Sequence, residues 1–432
     1  MSKQKRDISL PGAISIGIGG MVGGGIFAVL GEAVSLAHGA TAVAFLFAGI
    51  VALLTAYSYA KLSVTYQNRG GTVFFVAQGF GNNFISGSIN LMLWLSYLVT
   101  ISLYAVAFAS YGQTFFTTQG STWLKHGLIS FAILLPALIN YVSVSFVEKS
   151  ETVFVFIKLA ILILIIVTGA PYVETARLSP ANWGNSFSII VAGMVIFVAY
   201  EGFELIANSA EEITNPRVNL PRAIYASVII VILLYAAIAL ITVGTVSEDV
   251  LMKAKDYALA VAAKPALGQI GYTLVSIAAL LATFSAINAT IYGNARLGFI
   301  LAKDGELPSL LALEERKIPT TGIIVTMLLS LVLANSINLT EIAIIGSASF
   351  LLIFFIVNIV AYKLNDAIGA NKFITAIAIF VSGSALMTLL LHTYSKNPTA
   401  IGVFFVFILS SVLFELTYGK FIRKTLSICN ED

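Results

Sequence analysis

Charge is scarce in this chain: only 10% of its 432 residues are charged, against roughly a quarter in a soluble domain. With 58% hydrophobic residues and a mean hydropathy of +0.95, a water-solvated globular domain is excluded. The net charge of +3 is too small for a nucleic-acid-binding surface. Cysteine is nearly absent. Cys429 stands alone, which excludes an internal disulfide framework and a cysteine-based metal site. The three histidines, His38, His126 and His392, lie far apart near the ends of apolar segments and form no metal-ligand pair. No H-E-x-x-H, nucleophile elbow or other catalytic constellation occurs, so the chain does not read as an enzyme. No metal and no cofactor are expected. No soluble domain, linker or low-complexity tract is visible. Lys3, Lys5 and Arg6 lead straight into a full-length apolar segment, which is not the pattern of a cleavable signal.

Long apolar runs fill the space instead. Twelve are legible, at about 10–36, 40–66, 84–116, 126–147, 151–171, 186–212, 220–246, 268–302, 320–336, 340–363, 372–393 and 398–419. Most reach the ~20 residues that a helix needs to cross ~30 Å of hydrocarbon. The ninth is short, and the third and eighth are long enough to tilt or protrude. The reading is an all-α polytopic membrane protein with 12 transmembrane helices, forming a single transmembrane domain over 1–432. With the N-terminus inside, 17 of the 24 lysines and arginines fall on the inner side and six on the outer, and Lys158 lies within a segment. That asymmetry places both termini in the cytoplasm of a multi-pass protein of the cell membrane. The outer loop from Ser247 to Lys264 has helical spacing in Leu251, Ala254, Ala258, Leu259 and Ala262, and a short solvated surface helix is expected there. The inner loop from Lys303 to Lys317 reads the same way.

The stretch Gly17-Ile-Gly-Gly-Met-Val-Gly-Gly-Gly25 puts six glycines inside the first apolar run. Each interior glycine costs a helix about 1 kcal/mol relative to alanine, so the span is invited to break. Broken backbone at membrane depth survives only inside protein or around a wet cavity. The alternative is close helix packing, since Gly19/Gly23 and Gly20/Gly24 fit the small-xxx-small pattern. A nucleotide-binding glycine loop fits poorly, because G-x-G-x-x-G fails at Val22 and no strand precedes it.

Segment 6 carries Phe197-Val-Ala-Tyr-Glu-Gly-Phe-Glu204, with a glycine and two glutamates at a depth where charge is costly. It matches segment 1 if the chain consists of two five-helix halves. Interrupted spans in corresponding positions are the best sequence pointer to a transporter's binding site. Half-helix N-termini offer free N–H groups to a carboxylate, and half-helix C-termini offer carbonyls to an ammonium. Together they suit the head of an amino acid. Gly23, Gly24 and Gly25 are the candidate N–H donors. The carbonyls near Met21, Val198, Ala199 and Glu201 are candidates for the amine. Tyr97, Tyr104, Tyr200 and Phe203 are candidates to line or gate the cavity, with ordinary packing as the alternative. Lys158 lies deep in segment 5. A buried ammonium there can change protonation or replace a bound cation, unless it forms a static ion pair with Glu201 or Glu204.

Three motifs now point to a family. The helix 1 ending Gly23-Gly-Gly-Ile-Phe27, the break Phe197-Val-Ala-Tyr-x-Gly-Phe203, and the run Glu211-Glu-Ile-Thr-Asn-Pro-Arg-Val-Asn-Leu-Pro-Arg222 resemble the amino acid–polyamine–organocation transporters over essentially the whole chain. Within that superfamily, Lys158 together with Asn288-Ala-Thr-Ile-Tyr292 is similar to an archaeal proton-coupled, broad-specificity member. The resemblance implies an inverted 5+5 repeat (LeuT-like) with broken helices 1 and 6, repeats at about 10–171 and 186–363, and two extra helices at about 372–419. It implies that helices 1 and 6 hold an amino-acid substrate. It further implies that Lys158 occupies a cation position, bonding a helix 1 carbonyl near Gly19 and a helix 8 hydroxyl at Ser285, with a proton as the coupling ion. A monomer or weak homo-oligomer is expected, with the lipid bilayer as its surroundings. Glu201 departs from the family pattern. It is a candidate to contact a cationic substrate, to relay a proton to Lys158, or to cap a half-helix. Proton-independent exchange and a transport-dead sensor are the competing functions.

Overall fold

The computed structural model describes residues 6–116, 121–142, 145–315 and 318–422. Lys3, Lys5, Arg316, Lys317, Arg423, Lys424 and Cys429 lie outside these residues. Regular structure among the described residues is helical, and extended pairing is limited to isolated bridges such as Ile8 with Ile213.

The first apolar run forms two helices, α1 (Leu10–Met21) and α2 (Gly25–Ala37), bent by 49° at Val22–Gly24. Next come α3 (Thr41–Thr65), α4 (Thr72–Phe80), α5 (Phe84–Gly112), α6 (Thr122–Val142) and α7 (Ser145–Gly169). The sixth run is again two pieces, α8 (Ser186–Val195) and α9 (Leu205–Asn208). A 3-10 turn over Phe197–Tyr200 joins them, and the bend is 51°. The long α10 (Pro216–Thr245) leads through α11 (Glu248–Lys253) and α12 (Ala258–Ala262) into α13 (Lys264–Lys303). The chain ends with α14 (Thr320–Ser336), α15 (Leu339–Lys363), α16 (Asn365–Ile368), α17 (Lys372–Lys396) and α18 (Pro398–Thr417). Among the described residues nine helices are long and apolar enough to cross a membrane, and the two bent pairs raise this to eleven. α14 is shorter, as its 17 residues require. Each of the twelve apolar runs thus coincides with helix.

Buried α5 is the hub, packing on α13, α15, α14, α6 and α18. α1 lies against α10, α9 and α7, and α7 lies against α13. The centre of the molecule is therefore where the breaks in the first and sixth runs meet.

Three local expectations are corrected. α4 was not anticipated, because nine residues between two long spans carry too little periodicity to stand out. The outer loop is helical as its spacing requires, and α11 is a surface helix with Val250 45% and Met252 40% exposed, but α12 after it is buried rather than solvated. Leu251, Ala258, Leu259 and Ala260 are 0–1% exposed, because the segment packs on α2. The inner loop is also partly buried. Asn90 Nδ2 donates to both carboxylate oxygens of Glu306 at 3.0 Å, and Leu307 and Leu311 are buried.

Candidate functional site

The glycines of the first run allow the two breaks to touch. An added Cβ at Gly20 meets the backbone of Gly202, with the oxygen at 2.8 Å and Cα at 2.9 Å. One at Gly25 meets Ala199 Cα at 2.8 Å, and one at Gly24 meets the ring of Tyr104, with Cγ at 2.8 Å. Packing and breaking are therefore not alternatives here. The same residues that cannot hold a helix leave room for the other broken span. Gly202 has φ +122°, a conformation that L side chains rarely adopt.

The backbone groups freed by the breaks find side chains. Lys158 on α7 is 3% exposed, and its Nζ donates to the Gly19 carbonyl at 3.0 Å. Tyr235 on α10 donates to the Met21 carbonyl at 2.6 Å, with the Ala199 carbonyl 3.2 Å away. One hydroxyl thus spans both breaks. Ser347 on α15 donates to the Val195 carbonyl at 2.6 Å and accepts from the Val198 amide at 2.9 Å. Glu204 accepts from the Gly202 amide at 2.8 Å and fixes the turn. Sequence reasoning missed Tyr235 and Ser347, because a single hydroxyl in a transmembrane helix is a common occurrence and signals no partner.

A cavity of about 570 Å³ opens from this junction. Gly19, Gly20, Tyr97, Tyr104, Glu201 and Ser285 line its deep end, and Arg69, Glu212 and Arg296 its mouth. Glu201 and Glu204 are 4% and 1% exposed. Tyr97 and Tyr104 share the cavity wall with Glu201. Thr290 and Tyr292 of the helix 8 motif also face the cavity. Asn288 is tied instead to Asn140, whose Nδ2 donates to its backbone and side-chain oxygens at 2.9 and 3.0 Å.

Other candidates lie elsewhere. Met21, Gly23, Gly24, Gly25, Val198 and Ala199 do not line the cavity. The Tyr104 ring covers Gly24, and Tyr235 engages Met21 and Ala199. Tyr200 is fully buried and donates to the Phe45 carbonyl at 2.8 Å. Phe203 is packed between Tyr59 and Phe354. Both belong to the packed interior, because the bend turns them away from the space that Glu201 faces.

The opposite end is shut. A Cβ at Gly31 meets the Lys255 carbonyl carbon at 2.7 Å. Lys255 Nζ pairs with Glu32 at 2.8 Å, and Thr340 donates to the same carboxylate. His38 and Glu248 add a contact at 2.5 Å. Among the described residues no group of three or more metal-ligating side chains occurs.

A model of the amino acid permease family matches residues 8–414. The chain is 35% identical to an uncharacterized protein of Methanocaldococcus jannaschii, over 99% of this chain and 98% of that one. It is 34% identical to the inner membrane transport protein YbaT of Escherichia coli, over 98% of each. A chloroplastic cationic amino acid transporter of Arabidopsis thaliana is 29% identical over 71% of this chain and 56% of its own. A broken-helix bundle with a central cavity, matched along nearly its whole length, is a multi-pass membrane transporter and not an enzyme: the chain belongs to the amino acid permease family, within the amino acid–polyamine–organocation superfamily.

Proposed function

We propose that this protein is a secondary active transporter that carries amino acids across the cytoplasmic membrane by alternating access, with Lys158 as the proton-coupling group. The observation that carries the proposal is the 3.0 Å bond from Lys158 to the carbonyl of Gly19, a cavity-lining residue in the last turn of α1 before the first break. An ammonium at that point does the work of a bound cation, joining α7 to the broken helix. When it loses its proton the attraction is lost, and α7 is free to separate from α1 and α13. Proton binding and helix movement are then one event. Ser285, like Gly19, lines the cavity, and in this reading it is the second oxygen for the ammonium.

The fold fits this reading as twelve spans, with both termini cytoplasmic and two inverted five-span repeats. Each repeat begins with a broken span, α1–α2 in one and α8–α9 in the other, followed in each by four further spans. The cavity mouth carries Arg69 and Arg296, cytoplasmic residues by the positive-inside rule. The conformation is therefore inward-open. Tyr104 lies on Gly24, so the ring acts as a lid over the amides at the start of α2. Substrate carboxylate reaches those amides once the ring moves aside. The carbonyls of Met21 and Ala199 are held by Tyr235, which makes Glu201 the better partner for an amine. A second reading, that Glu201 selects cationic side chains, rests on its position in the cavity with Tyr104.

Uptake into proteoliposomes tests the proposal, using a panel of amino acids with and without sodium and a proton gradient. Accumulation driven by the proton gradient alone is expected. Uptake that requires sodium, or substrate on the far side, contradicts it.

A further inference from the structure

The run Glu211–Arg222 has a second part that the central cavity does not use. Its glutamates turn inward, where Glu211 and Glu212 face Arg69 at 3.6 and 2.8 Å. Its arginines turn outward. Arg217, Arg222, Asn215 and Asn219 border a separate open hollow of about 660 Å³, which Arg6 and Gln67 complete. Arg6 is brought there by backbone pairing. The Ile8 amide donates to Glu212 O at 3.0 Å, and the Thr214 amide donates to Ile8 O at 2.9 Å. Arg6 is steadied by Gln67, to whose Oε1 it donates at 3.0 Å. Three arginines therefore border one hollow with no acidic residue in its lining. Among the described residues, Arg217 and Arg222 have no carboxylate within salt-bridge distance.

The hollow also has a defined orientation to lipid. Val218 at its rim is 47% exposed, and along the same face of α10 follow Ile229 at 45%, Leu233 at 63% and Leu240 at 43%. Arg222 lies on that face, one turn beyond Val218. The apolar part of the face suits acyl chains, and the arginines stand where headgroups begin. Basic pockets at such positions favour anionic headgroups, and guanidinium pairs with phosphate through two parallel hydrogen bonds.

We propose that Arg6, Arg217 and Arg222 form a binding site for the phosphate group of an anionic phospholipid, with the acyl chains lying along Val218, Ile229 and Leu233. The site is separate from the transport cavity, so its test does not depend on the transported substrate.

The full chain in neutral detergent is titrated with phosphatidylglycerol, phosphatidylcholine or inorganic phosphate. Thermal unfolding and native mass spectrometry are the readouts. Phosphatidylglycerol is expected to be retained and to raise the unfolding temperature, and phosphatidylcholine to do neither. Arg217→Gln with Arg222→Gln should weaken retention roughly thirtyfold, about fivefold per charge. Arg217→Lys with Arg222→Lys, which keeps the charge but loses the paired hydrogen bonds, should fall between the wild type and the glutamine variant. If inorganic phosphate displaces the lipid and stabilises the protein equally, the phosphate site stands but its lipid source is overturned. Equal retention by the wild type and the glutamine variant, or equal retention of phosphatidylcholine, overturns the site altogether.

Discussion

Gly20 and Gly24 both look too crowded for a side chain, yet the structure predicts different outcomes for Gly20→Ala and Gly24→Ala. At Gly24 the obstacle is the Tyr104 ring, with Cγ 2.8 Å from the added carbon. That ring borders a cavity of about 570 Å³ and can rotate into it. The cost should lie near the low end of overpacking, about 1 kcal/mol. At Gly20 the obstacle is the backbone of Gly202, at 2.8 and 2.9 Å. Gly202 has φ +122° and no side chain to move, so the broken helices themselves must separate. That cost should reach about 3 kcal/mol. Tyr104→Ala sharpens the contrast. In that background Gly24→Ala should become nearly neutral, a coupling of about 1 kcal/mol. Gly20→Ala should keep its full penalty, since it shares no obstacle with Tyr104. Thermal unfolding of the purified single and double variants measures both couplings. Equal penalties at the two glycines, or a Tyr104→Ala background that rescues both or neither, would refute the reasoning.

Tyr235→Phe should cost about 1–3 kcal/mol, because it leaves the Met21 and Ala199 carbonyls without the hydroxyl that spans them; an unchanged unfolding temperature would remove that role. Glu32→Gln should loosen the closed end by removing the charge that Lys255 pairs with at 2.8 Å. Hydrogen exchange of the amides over 248–257 should then rise while that of α5 stays fixed, and unchanged exchange would mean that backbone packing at Gly31 alone closes this end. Glu201→Gln should lower uptake of cationic amino acids more than that of neutral ones if Glu201 contacts the substrate side chain. Equal loss for both classes would assign it to structure or proton transfer.

Much of this architecture is written in the sequence, because lipid demands long apolar helices and tolerates interruptions only in protected places. The glycine run and the Tyr-Glu-Gly stretch therefore announced two breaks, and Lys158 stood out as a charge at membrane depth. The contacts were harder to read. Lipid and protein interior are both apolar, so hydropathy did not reveal that the segment around Leu259 is buried or that Phe203 faces Tyr59 and Phe354. Nor did it separate Tyr104, beside the cavity, from Tyr200, bonded to Phe45. Those assignments depend on the direction in which each bent helix turns, and a bend near 50° at either break redirects every residue beyond it.

The central claim is that the ammonium of Lys158 converts a proton gradient into helix movement. Uptake by Lys158→Ala in proteoliposomes, with an inward proton gradient imposed, tests it most directly, provided circular dichroism and gel filtration confirm a folded protein. Loss of proton-driven accumulation is predicted; accumulation at the wild-type rate and with the wild-type dependence on the gradient would contradict it.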